Sequence, residues 1–146
     1  MPSGFDTRLA AYGVIVRDQQ ILLARWVGAG SPRWTLPGGG VELDETLEEG
    51  VIREIREETG YQAELDGVIG VRTVVIPSDQ RLSPEAQGRP LKGVGVIYRA
   101  RVVGGQLVSE IGGSTDCAAW IPLREVVNLP RVELVDQAFC MAGLSV

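Results

Sequence analysis

The feature that most constrains this fold is an amphipathic stretch at residues 46–59, flanked on both sides by β-rich segments. Its apolar residues recur at the spacing of one helix face, and Gly60 supplies a stop at the C-terminal end. The apolar positions are Leu47, Val51, Ile52 and Ile55. A helix of this kind has one apolar face to bury, and the neighbouring strands supply a surface on which it packs.

Runs of apolar and β-branched residues predict strands at 10–16, 21–26, 61–76, 91–103 and 118–121. The polar residues 17–20 predict a hairpin turn, although the usual Asn-Gly pair is missing. Residues 34–36 predict a short strand that ends at Pro37 and the glycines 38–40. Pro130 fits the first turn of a last helix. Together these elements predict an α+β (α/β) class with a mixed, largely antiparallel sheet.

Length and composition are typical of one globular domain, which we place at residues 1–146. The chain is 45% hydrophobic and 23% charged, and no apolar run reaches the roughly 18–20 residues that cross a bilayer. Its N-terminus lacks the pattern of a secretory signal, and only two cysteines are present. We therefore expect a cytoplasmic protein with no membrane partner. The sequence leaves the oligomeric state open, a homodimer included.

Charge and the absence of histidine narrow the function classes. Fourteen basic and 19 acidic residues give a net charge of −5, so a nucleic-acid polymer is not an expected partner. With no histidine, the chain cannot build a Ser-His-Asp triad, a Cys-His dyad or a His-ligated zinc site. Acid–base chemistry must therefore come from carboxylates, lysine, tyrosine or metal-bound water.

Three carboxylates lie close together on the predicted helix. Glu54, Glu57 and Glu58 fall within an arc of roughly 100°, near the C-terminal end where the helix dipole disfavours negative charge. Like charges at this spacing each destabilise a helix by roughly 0.2–0.5 kcal/mol. Hard Mg²⁺ or Mn²⁺ would neutralise the cluster through oxygen ligands. The alternative is a solvated acidic face whose repulsion is relieved by Arg53 and Arg56.

A longer pattern surrounds these carboxylates, from Gly39 to Tyr61. The segment reads GGVELDETLEEGVIREIREETGY. It resembles the signature box of the Nudix (MutT-like) hydrolases, G-x5-E-x7-R-E-U-x-E-E-x-G-U, in which U is a bulky apolar residue. The matching positions are Gly39, Glu45, Arg53, Glu54, Ile55, Glu57, Glu58 and Gly60. Tyr61 departs mildly, since the last position is more usually aliphatic. The resemblance implies the Nudix fold, a mixed sheet sandwiched between α-helices.

The resemblance also implies an activity. Nudix hydrolases cleave a nucleoside diphosphate linked to another moiety, such as a (d)NTP, an oxidised dNTP or ADP-ribose, by attack of metal-activated water on phosphorus. The substrate is then a small nucleotide and the cofactor is Mg²⁺ or Mn²⁺. The alternative is a Nudix-fold module that senses a nucleotide or ADP-ribose without cleaving it. Such modules usually lose box glutamates, whereas this sequence keeps them all.

Roles for the box residues follow from the resemblance. Glu54, Glu57 and Glu58 would bind the metal, with the backbone carbonyl of Gly39 or its neighbour as a further ligand. Arg53 would orient the glutamates, and Glu45 would brace Arg53.

Members of the family use either a box glutamate or an acid in a distant loop as the general base, so three residues are candidates. Glu54 is the first choice. Glu110 and Asp116 are alternatives because they flank a glycine turn in a distant loop. Each of these two loop acids has the competing interpretation of a plain surface carboxylate.

Candidate substrate contacts come from residues near the box and before the last helix. Arg25 and Arg33 would reach phosphates, against the alternative of a solvated surface position. Asn128 would read a purine or, alternatively, mark the entry to the helix. Aromatic side chains could stack on a base or belong to the core: Trp26, Trp34, Tyr98 and Trp120. Among these aromatics we select Trp34 as the candidate substrate-binding residue.

Overall fold

The computed structural model describes residues 4–28, 30–81, 84–86 and 88–145. Within them, seven strands and two α-helices follow one another along the chain. They are β1 (Asp6–Arg17), β2 (Gln20–Trp26), β3 (Arg33–Thr35), β4 (Gly38–Gly40), α1 (Leu47–Thr59), β5 (Tyr61–Ile76), β6 (Leu91–Gly105), β7 (Thr115–Pro122) and α2 (Glu133–Ala142). Three 3-10 helices span Ser78–Gln80, Pro84–Ala86 and Leu123–Asn128. The predicted α+β class is confirmed.

The strands form a mixed sheet with the order β3-β2-β1-β6-β5. β1 and β6 run parallel, from the pair Asp6↔Leu91 to the pair Ile15↔Ala100. The other strand pairs are antiparallel, including β4 on β1 and β7 on β2. β1 is therefore the strand that joins the two parts of the sheet.

The turn between β1 and β2 is a two-residue loop, as expected from the polar residues at this point. Arg17 pairs with Gln20, and the loop residues Asp18 and Gln19 have positive φ angles of 52° and 63°. Positive φ at both positions is the type I′ conformation, whose twist matches that of the flanking strands. Asp tolerates this conformation better than most residues, which accounts for a hairpin without Asn-Gly.

The two helices cover opposite faces of the sheet, each over its own apolar cluster. Under α1 the buried residues are Ala11, Ile15, Leu22, Val51, Ile55, Tyr61, Ala63, Tyr98 and Ala100. Under α2 they are Val14, Ile21, Leu23, Leu36, Ile97, Val126, Leu134, Val135, Ala138 and Phe139. Neighbouring residues of β1 point to alternate faces, so one strand supplies both clusters. The expected sheet between helices is thus confirmed.

Helix α1 is fixed at both ends by its own sequence. The Thr46 hydroxyl accepts a hydrogen bond from the Glu49 backbone N–H, and the Glu49 carboxylate accepts one from the Thr46 backbone N–H, which forms a capping box. Gly60 adopts a left-handed φ of 82° and its N–H donates to the Arg56 carbonyl. The register of the acidic residues on α1 is therefore set locally.

Two local predictions were wrong. Residues 38–40 form strand β4 on β1 rather than only ending a strand, because glycine lets the backbones approach. A Cβ on Gly38, whose φ is 144°, would overlap the Ala11 carbonyl oxygen. Pro130 precedes α2, whose N-cap is Val132. The Trp34 backbone N–H donates to the Pro130 carbonyl, and the Val132 N–H donates to the Trp34 carbonyl. These two bonds hold residues 130–132 extended beside β3.

Candidate active site

A cavity of about 350 Å³ opens where β4 meets the acidic face of α1. Its walls come from both parts of the sheet and from the start of α2. The lining residues are Arg8, Tyr12, Trp26, Thr35, Gly38, Gly39, Gly40, Glu54, Glu58, Arg72, Ser114, Thr115, Val132 and Leu134. Two carboxylates of the predicted cluster therefore lie in one cavity with the glycines of β4.

The glycines of β4 bring the backbone directly against the carboxylates of α1. The Gly38 N–H donates a 2.7 Å hydrogen bond to Glu58 Oε1. A Cβ on Gly39 would lie 3.2–3.3 Å from the Glu54 carboxylate atoms. Any side chain at Gly39 would thus press on Glu54, which gives the predicted box glycine a physical reason.

Glu58 is the most deeply buried acidic group of the cavity, with 3% of the residue exposed. Burial raises the pKa of its carboxyl to about 8, and the negative charges of Glu54, Glu110 and Glu57 act in the same direction. The hydrogen bond from Gly38 opposes this rise only in part. At neutral pH the isolated chain therefore keeps a proton on Glu58 until a positive charge compensates it.

Burial likewise raises the pKa of Glu54, and the charges of Glu57 and Glu110 add to the effect. The Arg53 guanidinium partly offsets this shift through a hydrogen bond from Nη1 to Glu54 Oε1, at 3.1 Å. Arg53 Nη1 also lies 3.2 Å from Glu57 Oε2. One guanidinium thus holds two glutamates of the acidic face.

Glu45 fixes the other side of Arg53. It accepts from Arg53 Nε at 2.6 Å and from Nη2 at 2.9 Å, a bidentate pair. The bonds from Arg53, followed by one from the Glu42 backbone, lower the pKa of Glu45 to about 2. The same contact with Glu45 is the largest of those that raise the pKa of Arg53. Arg53 thus contacts Glu45 on one side and Glu54 and Glu57 on the other, and the bracing and orienting roles stay predictions.

The oxygen atoms that border the cavity are of the chemical type that binds a hard divalent cation. Glu54 and Glu58 are carboxylates crowded in a partly buried cavity, and the nearby backbone of β4 supplies amide oxygens, the ligands such cations prefer. Over the described ranges of the chain, no three His, Cys, Asp or Glu side chains already converge as a metal-binding set. Glu57 instead turns to Arg53 and is 45% exposed. Of the three predicted carboxylates, Glu54 and Glu58 therefore line the described cavity and Glu57 does not.

The two candidate acids in the loop, Glu110 and Asp116, have different surroundings. Glu110 contributes to the raised pKa values of both Glu54 and Glu58, so its charge lies close to the cavity. It accepts a 3.0 Å hydrogen bond from the hydroxyl of Thr115, a lining residue. Asp116 instead forms a bidentate pair with Arg25 at 2.8–2.9 Å, and this pair lowers the pKa of Asp116.

The predicted substrate residues lie outside the cavity lining. Arg25 is held by Asp116, and Arg33 is exposed on β3. Trp34 packs against the apolar cluster under α2. Asn128 is the last residue of a 3-10 helix, and its side-chain amide donates to Glu125 Oε2 at 3.4 Å. This position agrees better with the alternative interpretation, a residue at a helix boundary, than with a contact to a purine. Among the four aromatic candidates, the one that lines the cavity is Trp26.

Sequence reasoning missed several lining residues because strand register brings them together. Arg8 and Tyr12 lie on β1, and Arg72 lies on β5, far away along the chain. Val132 and Leu134 enter from the start of α2. The alternation of β1 gave a weak signal, since Arg8, Ala10 and Tyr12 share one face, but nothing local indicates which face borders the box.

Comparison with known proteins agrees with the fold and the box. The family model of the NUDIX domain matches residues 7–140, so the chain belongs to the NUDIX family. A solved NUDIX hydrolase from Nitrosomonas europaea has a TM-score of 0.76 at 20% identity, over 94% of this chain and 89% of that one. At this identity the likeness shows the fold alone.

Two curated relatives carry names that describe activities. An ADP-ribose pyrophosphatase of Methanocaldococcus jannaschii is 35% identical over 125 residues, which is 85% of this chain and 65% of the relative. A putative 8-oxo-dGTP diphosphatase of Bacillus subtilis is 50% identical over 58 residues, 40% of this chain and 38% of the relative. The matched stretches thus span less than two thirds of either relative. No helix in the described residues is long and apolar enough to span a membrane.

Proposed function

We propose that the protein is a Mg²⁺-dependent nucleotide pyrophosphohydrolase that cleaves a nucleoside diphosphate linked to another moiety. The observation that carries the proposal is the cavity in which Glu54 and Glu58 lie against the glycine strand β4. The relatives named as a diphosphatase and a pyrophosphatase support the same reaction class.

The metal-binding residues in this proposal are Glu54, Glu57, Glu58 and the backbone of Gly39. When bound, Mg²⁺ would neutralise charge on the phosphate oxygens and lower the pKa of a water near phosphorus. The raised pKa values of Glu54 and Glu58 support this assignment, because a bound cation would take the place of the protons that burial favours on these carboxyl groups.

Arg53 acts as a positioning residue. Its bidentate contact with Glu45 fixes the guanidinium, and its Nη1 then holds Glu54 and Glu57 at 3.1–3.2 Å. In the absence of the cation this arrangement holds Glu54 in the cavity and Glu57 beside Arg53.

We assign the proton acceptor to Glu110 in preference to Glu54. Glu54 is engaged by Arg53, whereas the described contact of Glu110 is a single bond from the Thr115 hydroxyl. Glu110 bonds Thr115, which lines the cavity, and its charge acts on both cavity glutamates, which supports it as the acceptor of a proton from water. Trp26, at the other wall, offers a face on which a base can stack.

The test is a phosphate-release screen with Mg²⁺, coupled to pyrophosphatase or phosphatase where the product requires it. The panel holds (d)NTPs, 8-oxo-dGTP, ADP-ribose, NADH, diadenosine polyphosphates and nucleotide sugars. Each is run beside Glu57→Gln and beside Glu64→Gln, a matched change at an exposed glutamate on β5. We expect the wild type to hydrolyse at least one substrate. The rate should fall by roughly a hundredfold or more in Glu57→Gln and stay unchanged in Glu64→Gln.

If the wild-type protein hydrolysed none of the compounds in the panel, the assignment as an enzyme would be overturned. If ADP-ribose or a nucleotide then raised the melting temperature, the sensing module would replace it. Hydrolysis at the wild-type rate by Glu57→Gln would instead remove this acidic face from the reaction.

A further inference from the structure

Two arginines on the sheet connect the main cavity to a second one. Arg8 and Arg72, together with Tyr12, line the main cavity and also an adjoining cavity of about 180 Å³. The other walls of the second cavity are small or apolar: Ala10, Val74, Ile76, Leu91, Gly93, Val94 and Gly95. The polar groups of this second space are therefore concentrated where the two cavities meet.

Strand register explains why these arginines are neighbours. Arg8 pairs with Gly93 across β1 and β6, and Arg72 pairs with Gly95 across β5 and β6. The strand between them thus carries glycine at both facing positions. The absence of side chains there leaves room above β6, and a guanidinium group borders that room on each side.

Neither arginine is neutralised by an acidic side chain in the described part of the chain. Arg72 Nε is buried and has no hydrogen-bond partner there. The Arg8 guanidinium lies beside Gly40, since a Cβ on that glycine would be 3.2 Å from Arg8 Nη2. Arg53 and Arg25, by contrast, are held by carboxylates. Arg8 and Arg72 are thus cations available to an incoming anion.

A guanidinium that has no carboxylate partner can instead donate charge-assisted hydrogen bonds to a bound anion. Arginine suits phosphate in particular, because its planar fork can donate two parallel hydrogen bonds. Glu54 and Glu58 share the cavity with these arginines, and among the described residues the ion pairs of the acidic face involve Arg53 instead. The cavity consequently holds acidic and basic side chains that are not paired with each other.

We propose that Arg8 and Arg72 form a subsite for a terminal phosphate beyond the cleaved anhydride, so that the preferred substrates are nucleoside triphosphates. This inference rests on the proposed function and names its substrate class. A triphosphate can present one phosphate to the cation held by the carboxylates and its terminal phosphate to the two guanidinium groups. ADP-ribose places an uncharged sugar beyond its pyrophosphate, which gives the two guanidinium groups no anion to bind there.

The kinetic test measures kcat/KM for a panel of dNTPs and for ADP-ribose in the wild type, Arg8→Gln and Arg72→Gln. Arg124→Gln is the control, because this side chain is 83% exposed on a 3-10 helix outside both cavities. The wild type should prefer a triphosphate. Each subsite variant should lower the ratio of triphosphate to ADP-ribose kcat/KM by roughly tenfold or more, mainly through KM, and the control should keep the ratio.

A binding measurement separates this inference from the enzyme assignment. Inorganic tripolyphosphate is titrated calorimetrically into each protein with Mg²⁺ present, after circular dichroism has shown that the variants are folded. Wild type and Arg124→Gln should bind, and Arg8→Gln and Arg72→Gln should bind at least roughly tenfold more weakly. If no nucleotide is hydrolysed but this pattern holds, the proposed function fails and the anion subsite stands. Equal binding by all four proteins, or equal losses for triphosphate and ADP-ribose, would overturn the subsite.

Discussion

The buried Glu58 makes the metal-free protein sensitive to pH, and replacing it by glutamine should remove that sensitivity. The unfolded chain releases this proton near the ordinary value of 4.5, whereas the folded chain holds it up to about 8. Stability from this group is therefore complete below pH 4.5 and is lost as the pH rises through 8. Above pH 8 the folded protein must carry a buried, crowded carboxylate.

The size of the effect follows from these two values. Each tenfold difference in proton affinity corresponds to about 1.4 kcal/mol, so the difference between 4.5 and about 8 sets an upper limit on the order of 5 kcal/mol. Local relaxation and water entry reduce this limit, and we expect Glu58→Gln to gain roughly 2–4 kcal/mol over the wild type at pH 8.5. The glutamine keeps an oxygen that can accept from Gly38 N–H, so the packing contact with β4 is retained.

The assay is urea unfolding in EDTA between pH 4.5 and 8.5 for wild type, Glu58→Gln and the control Glu64→Gln. The free energies of unfolding of wild type and Glu58→Gln should diverge as the pH rises, while the control stays parallel to the wild type. Adding Mg²⁺ at pH 8.5 should narrow the gap, because the cation stabilises the protein that keeps this carboxylate more than the variant that lacks it. A gap that is constant across the pH range would refute the explanation based on burial of this charge.

Other contacts of the site lead to separate expectations. Arg53→Lys should lower kcat by roughly tenfold or more, because lysine lacks the fork that holds Glu45 and two further glutamates. Mg²⁺ should raise the melting temperature of the wild type and raise it less in Glu57→Gln. Glu110→Gln should reduce kcat by roughly a hundredfold with little change in KM, while Asp116→Asn should not reproduce this loss. Gly38→Ala should destabilise the fold by roughly 2 kcal/mol or more, since its φ of 144° places a Cβ against β1.

Each of these expectations has a contradicting result. Unchanged kcat in Arg53→Lys would show that its charge alone suffices. Equal Mg²⁺ stabilisation of Glu57→Gln would remove this side chain from cation binding. Full activity of Glu110→Gln would return the general base to Glu54. A Gly38→Ala protein as stable as the wild type in urea would show that β4 adjusts its backbone without cost.

Helix α1 and its acidic face could be predicted from sequence because their determinants are local. The apolar spacing, the stop at Gly60 and the order of the glutamates are properties of neighbouring residues. The Arg53–Glu45 contact also joins residues one short segment apart. The sequence is therefore sufficient for the part of the site that one continuous segment builds.

The remaining walls depend on register between distant strands, which a single sequence does not display. Arg72 reaches the cavity only because β5 pairs with β6 in the observed alignment, and β6 in turn lies beside β1. The prediction of Pro130 in the first turn failed for a related reason. A tertiary contact with Trp34 holds that segment extended and delays the helix.

The division of the cavity between chain segments has a consequence for how such a protein can change over evolutionary time. Residues 38–58 contribute Glu54, Glu58 and the glycine strand, and Glu110 adds its charge from the segment before β7, whereas Trp26, Arg72 and Leu134 are wall residues from other segments. Substitutions in these outer segments can alter which molecule enters without disturbing the reacting groups. Ligand preference and chemical step can therefore be inherited almost independently, and a duplicated copy can acquire a new substrate through a few wall residues alone.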